Sequence, residues 1–202
     1  MNYDNRSVSV GSLRVGYRVE GHGGRKMLLL HGLNSHSGTW RKCFAALARE
    51  ATVVAPSLPA NLGDPTSDLA DEYADLVYSV CEDSGIKGAT VVGNSMGGWV
   101  AMRLLSRHGE AVSRIVLEDT AGSTSEDVTV VERAQLPVLI VWGDSDRLLP
   151  VAMGRSLHSR LSRSELRIIS GGGHVPHWET PEEFTGAVAG FVHRDSVSTR
   201  PP

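Results

Sequence analysis

The chain has 202 residues, a formal net charge of −3 and two cysteines. That length suits one domain that buries about 70% of the surface its unfolded form exposes, so folding requires neither a disulfide framework nor a structural metal. Positive and negative side chains are interspersed; the absence of a basic face argues against nucleic acid or an anionic membrane surface as a partner.

Residues 1–6 are polar and lead into no apolar stretch of the kind a secretory signal carries, and the longest apolar runs are far too short to span a bilayer. The expectation is a soluble, cytoplasmic protein. Residues 7–10 and 13–19 flank Gly11-Ser12 as the arms of an antiparallel hairpin would. Short β-branched and aliphatic runs then recur at 27–30, 52–54, 90–92, 114–117, 138–141 and 166–169, separated by segments of helical period. Such alternation predicts a mainly parallel sheet with helices on both faces. Trp40, Phe44, Leu47 and Ala48 share one helical face, and Leu69, Tyr73, Leu76, Val77 and Val80 share another. Residues 96–105 are apolar nearly all round, which predicts a central buried helix. Near the end, Thr180-Pro181-Glu182-Glu183 has the pattern of a capping box with proline at the first helical position, and Phe184, Val188, Phe191 and Val192 form the stripe behind it. Domain organisation is read as one domain over 1–195 with a disordered tail at 196–202. Cys43 and Cys81 lie within apolar-periodic segments and are expected to be buried, reduced thiols.

The chemistry-bearing pattern is Gly93-Asn94-Ser95-Met96-Gly97, which follows the run at 90–92 and opens the apolar helix. A serine on so sharp a turn leaves no room for side chains two positions before and after it, and glycines stand at both. The turn sets the hydroxyl at a helix N-terminus, where backbone N–H groups favour a developing negative charge. A second N–H for an oxyanion hole comes, in this architecture, from the loop after an earlier strand; His31-Gly32-Leu33-Asn34 is that loop. Leu33 and Met96 are therefore the candidate oxyanion amides. A serine nucleophile also needs a base and an acceptor to orient it. Asp144 and Asp146 directly follow one strand, and His174 follows the next behind Gly171-Gly172-Gly173. The order serine, acid, histidine suits a nucleophile elbow.

With His31-Gly32, residues 93–98, residues 142–150 and Gly173-His174 all in place, the chain resembles the α/β-hydrolase superfamily from near its start to its last helix. In that family Trp-Gly-x-x-Asp-x-x-x-Pro carries the triad acid on its last aspartate, which matches Asp146 ahead of Pro150 and favours it over Asp144. Asp119, after the preceding strand, is the rival, since some members take the acid there. Asn94-Ser95-Met96-Gly97-Gly98 and His174-Val175-Pro176-His177-Trp178-Glu179 are most similar to carbon–carbon bond hydrolases of aromatic degradation and their esterase relatives. Two departures concern the walls of the site. Residues 118–136 are too few for the helical cap that members commonly carry, which leaves the pocket open. The loop after 53–54 reads Ala55-Pro56-Ser57-Leu58-Pro59-Ala60-Asn61-Leu62-Gly63-Asp64 in place of the Asp-x-x-Gly-x-Gly-x-Ser found in relatives.

The expected fold is thus a capless α/β-hydrolase fold with an N-terminal antiparallel hairpin. The expected function is a serine hydrolase of a small carboxylic ester, lactone or thioester, with Ser95, His174 and Asp146 catalytic and His36, Trp142, Leu148 and Val175 lining the pocket. No cofactor and no metal is expected; His177, three residues from His174, lacks the companions of a zinc helix. The alternatives are a carbon–carbon bond hydrolase of the meta-cleavage-product type and, in another class, a binding protein or a lyase or cyclase on the same fold.

Overall fold

The structure is a computed structural model, which describes residues 4–60, 67–122 and 124–194. The tail at 196–202 and the loop positions 61–64 lie outside the described residues. Strands β1 (Asp4–Val10) and β2 (Leu13–Glu20) form the N-terminal hairpin, and β2 runs antiparallel to β4 (Thr52–Pro56). The other strands are parallel: β3 (Lys26–Leu30), β5 (Ala89–Asn94), β6 (Val112–Glu118), β7 (Val138–Gly143) and β8 (Ser164–Ile169). All eight lie in one sheet of order β1-β2-β4-β3-β5-β6-β7-β8.

The central strands β5 and β7 are buried at every position. Covered on both faces, they read as unbroken apolar runs, which is how parallel strands betray themselves in a sequence. One face is packed by α1 (Arg41–Glu50) and α7 (Pro181–Val192) around Trp40, Phe44, Phe184 and Phe191. The opposite face is packed by α2 (Ser67–Ser84), α3 (Met96–Arg107), α4 (Ser125–Ala134) and α5 (Val151–Arg160). The short α6 (Pro176–Glu179) precedes α7.

Between β6 and β7, where the sequence predicts no room for a cap, the described residues form only α4 and its flanking loops. It is fastened down. Thr124 and Asp127 form a capping box, and the buried Asp127 carboxylate also accepts from Trp99 Nε1 and Arg103 Nη1, both at 3.2 Å. A buried carboxylate satisfied from three sides fixes the helix against α3. The C-terminal capping box does not form. Thr180 caps nothing with its side chain; its hydroxyl donates instead to Pro176 O at 3.2 Å, so the preceding turn of α6 takes the group the sequence pattern assigns to α7. Cys43 and Cys81 are buried and unpaired with each other.

Candidate active site

Ser95 sits between the end of β5 and the start of α3 with φ 53° and ψ −119°. That backbone conformation is costly for a residue with a Cβ and persists only where its surroundings enforce it. The enforcement is visible on both sides. A Cβ on Gly93 would lie 2.3 Å from Gly97 O, and one on Gly97 would lie 2.2 Å from Leu30 O. The Ser95 amide donates to Glu118 O at 2.9 Å, and its carbonyl accepts from Gly98 and Ala121. Both backbone groups of Ser95 are thus spent on neighbours.

Gly32 lies against the serine, since a Cβ built there would be 3.3 Å from Ser95 Cβ. Its loop is held by His31, whose Nδ1 meets Gly32 O at 2.8 Å while its Nε2 accepts from Leu58 N at 2.9 Å. Burial lowers the His31 pKa, and with both nitrogens engaged the ring serves as a brace. Among the described residues the Leu33 amide, next after Gly32, and the Met96 amide, next after Ser95, have no acceptor within the chain.

His174 Nδ1 lies 2.8 Å from Asp146 Oδ2, and Asp146 Oδ1 accepts from the amides of Leu148 at 2.7 Å and Leu149 at 3.0 Å. Burial works to raise the Asp146 pKa, but the His174 bond and the two amides outweigh it and hold the carboxyl below its usual range. With Nδ1 committed to Asp146, Nε2 is the nitrogen left to act as a base. The His174 loop is tied to the elbow by Asn94 Nδ2, which donates to His174 O at 3.0 Å. No hydrogen bond joins the Ser95 hydroxyl to His174 in this arrangement. Such contacts commonly tighten only once substrate is bound.

Asp119, at the end of β6, is fully buried beside this pair with φ 41°. Its Oδ1 accepts from Gly143 N at 3.1 Å, while Oδ2 accepts no hydrogen bond. Burial, reinforced by the neighbouring charges of Glu118 and Asp146, pushes its carboxyl up to about 9. The opposite directions of the two shifts make Asp119 the neutral member of the pair and Asp146 the charged one. Donor atoms of Asp119, Asp146 and His174 all lie within 4.8 Å of one another, the one grouping among the described residues with the makings of a metal site. Both Asp146 oxygens already serve the imidazole and two amides.

A second buried pair lies below. Glu118 accepts from His177 N at 2.7 Å with one oxygen and meets His177 Nδ1 at 2.7 Å with the other, and His177 Nε2 meets Thr39 Oγ1 at 2.8 Å. The His177 ring stacks on Trp40 at 3.9 Å. His177 is thus a core anchor for α6 and the loop carrying His174. The sequence offered one sign of it, an acidic doublet, Glu118-Asp119, at the end of an apolar strand.

Of the pocket residues named from sequence, His36 and Val175 line an open cavity of about 430 Å³ beside the site. Leu148 stands 70% exposed on the acid loop and Leu33 56% exposed on the opposite loop. Trp142 is a correction: it is 1% exposed, donates its indole N–H to Leu149 O at 2.9 Å and packs against α5. Its role here is to brace the loop that presents Asp146, because the inward face of β7 carries it into the core.

A family model described as the α/β-hydrolase fold matches residues 26–136. The chain belongs to the α/β-hydrolase family. A protein of Mycobacterium tuberculosis is 25% identical over 276 aligned residues that cover 91% of this hydrolase and 80% of that protein. The alignment is longer than the present chain, so that relative carries insertions this one lacks. The 2-hydroxymuconate semialdehyde hydrolase of a Pseudomonas species is 31% identical over 60% of this chain and 47% of its own. Among solved structures, a CIB-like hydrolase of Thermoplasma acidophilum superposes with a TM-score of 0.82 at 23% identity, covering 95% of this chain and 98% of that one. This hydrolase shares its fold over nearly the whole of both chains. No helix among its described residues is long and apolar enough to cross a membrane.

Proposed function

We propose that this hydrolase cleaves a small carboxylic ester, lactone or thioester through an acyl-enzyme on Ser95, as one catalytic domain spanning 1–195. The observation that carries the reading is the left-handed Ser95 at the strand–helix turn, one residue from the Asn94 amide that holds the loop of the His174–Asp146 pair.

In this mechanism the Ser95 oxygen attacks the carbonyl carbon while His174 Nε2 takes its proton, and Asp146 steadies the imidazolium through Nδ1. The Leu33 and Met96 amides receive the oxyanion. Collapse breaks the bond to the leaving group, which departs with the proton from His174. Water then adds to the acyl carbon, gives its proton to His174, and the acid leaves as Ser95 regains its hydrogen. The open surroundings, with α4 in place of a cap, favour an accessible acyl group over one that must be enclosed. Carbon–carbon hydrolysis is the second reading, favoured by the similarity to the semialdehyde hydrolase.

Incubation with a fluorophosphonate, followed by intact mass measurement, tests the nucleophile. One adduct per chain in the wild type and none in Ser95→Ala is the expected result. A well-folded wild type that takes no label refutes the acyl-enzyme and leaves the binding or lyase class standing. A series of nitrophenyl esters, a lactone, a thioester and a vinylogous dione then separates the two hydrolytic readings.

A further inference from the structure

The cavity of about 430 Å³ beside His174 is lined on one side by Asn34, two residues beyond Gly32, and on the other by Val175, which follows His174. It therefore opens between the two loops that the proposed chemistry uses. The polar groups around it are unequal in kind. Arg41 lies with its guanidinium carbon 4.2 Å over the Trp178 ring, and Trp178 also forms part of the wall. A guanidinium on an aromatic face keeps its in-plane N–H donors free for a ligand. Among the described residues Arg41 makes no ion pair with any carboxylate. Lys42 adds a second positive charge 4.6 Å from the same ring, with its ammonium donating to Trp178 O at 2.7 Å.

The one charged acceptor of the cavity is already hydrogen-bonded. Glu179, its one carboxylate, spends Oε2 on Gly173 N at 2.9 Å and Oε1 on Val175 N at 3.0 Å, capping the His174 loop. His36 accepts from Gly38 N through Nδ1 at 3.0 Å, which places the ring proton on Nε2 as a further donor. What remains to meet a ligand is weighted towards donors: the Arg41 guanidinium, the His36 Nε2–H and the NH2 of Asn34, beside the Asn34 oxygen and the Ser35 hydroxyl. Such a wall is complementary to an acceptor-rich, negatively charged group, and planar bidentate pairing with a guanidinium is the geometry of a carboxylate.

We propose that this cavity is the subsite for a carboxylate carried by the substrate, held by Arg41 on its Trp178 platform. The inference rests on the serine-hydrolase reading and narrows it from small esters in general to acid esters, such as monoesters of dicarboxylic acids or esters of hydroxy acids. Arg41 is a binding residue in this scheme and takes no part in bond making.

Kinetics with three substrates test it: 4-nitrophenyl butyrate, the 4-nitrophenyl monoester of glutaric acid, and 4-acetoxybenzoate, which puts the charge on the acyl side in one case and on the leaving side in the other. The wild type is expected to prefer one charged ester over the neutral one. In Arg41→Gln the ratio of kcat/KM for that ester to the neutral ester falls roughly tenfold, with the loss in KM, the signature of a ground-state binding contact. Arg41→Lys recovers only part of it, and added salt shrinks the preference because the site is open to solvent. No preference for either charged ester, or a ratio that Arg41→Gln leaves within twofold, overturns the proposal. Fluorophosphonate labelling of the same wild-type sample keeps the two ideas apart, since a labelled enzyme indifferent to charge removes the subsite alone. If no ester turns over, titration with glutarate followed by tryptophan emission reads the cavity directly, and identical curves for wild type and Arg41→Gln refute it.

Discussion

Replacing Asp119 by asparagine is expected to stabilise this protein, and by more as the pH rises. The folded state holds the Asp119 carboxyl protonated up to about pH 9, whereas in the unfolded chain it ionises near 4. Between those values the folded state binds the extra proton, so stability declines with pH by about 1.4 kcal/mol per unit. At pH 7 the accumulated cost is on the order of 4 kcal/mol, and it vanishes below pH 4, where both states are protonated. Asparagine copies the neutral acid: its oxygen accepts from Gly143 N as Asp119 Oδ1 does, and its amide group carries no charge to desolvate. Urea unfolding at pH 4, 7 and 8.5 measures the effect. The difference between variant and wild type should be near zero at the first value and a few kcal/mol at the second, a rise in Tm of roughly 10 °C for a chain of this size. A variant less stable than wild type at pH 8.5, or a difference that ignores pH, would show that the native carboxyl is ionised.

Asp146→Asn keeps the shape of the acid loop but removes the charge that orients His174, and a fall in kcat of about 10³- to 10⁴-fold with little change in KM is expected from steady-state kinetics on any ester the wild type hydrolyses. Asp119→Asn, assayed beside it, should retain turnover within a few-fold. Gly97→Ala drives a Cβ to within 2.2 Å of Leu30 O, a backbone atom that no rotamer change moves. Denaturation should register a loss of about 1–3 kcal/mol, together with weaker fluorophosphonate labelling as the turn shifts.

Much of the fold was legible because its strands are sealed on both faces. β7 is buried at all six positions and reads as an apolar run with little ambiguity. The helix α5 is the counterexample: only Gly154 and Leu157 are buried, so no stripe marks it, and Gly154 is there to let the backbone close on the Trp142 ring. Thr180 misled for a related reason, since a capping pattern states what a side chain is able to reach and not whether its hydroxyl accepts from the N–H ahead or donates to the carbonyl behind. Within the site, Ser95 was readable from sterics and His174 from its position after a strand. The choice between Asp119 and Asp146 needed the family resemblance, because both follow strands. The hydrogen bond from His174 goes to Asp146, and nothing local in the sequence reports that Asp119 is dehydrated beside it. The pairing of Glu118 with His177 and the stack of Arg41 on Trp178 join residues remote in the chain, and such contacts leave no periodic trace.

Glu118 grips the elbow with its carbonyl and the His174 loop, through His177, with its carboxylate. Any sliding of β6 within the sheet therefore carries both loops in the same direction, and their relative position is conserved even when their absolute position is not. The direct bond from Asn94 to His174 O spans the same gap, so the two loops are coupled both through the strand and across it.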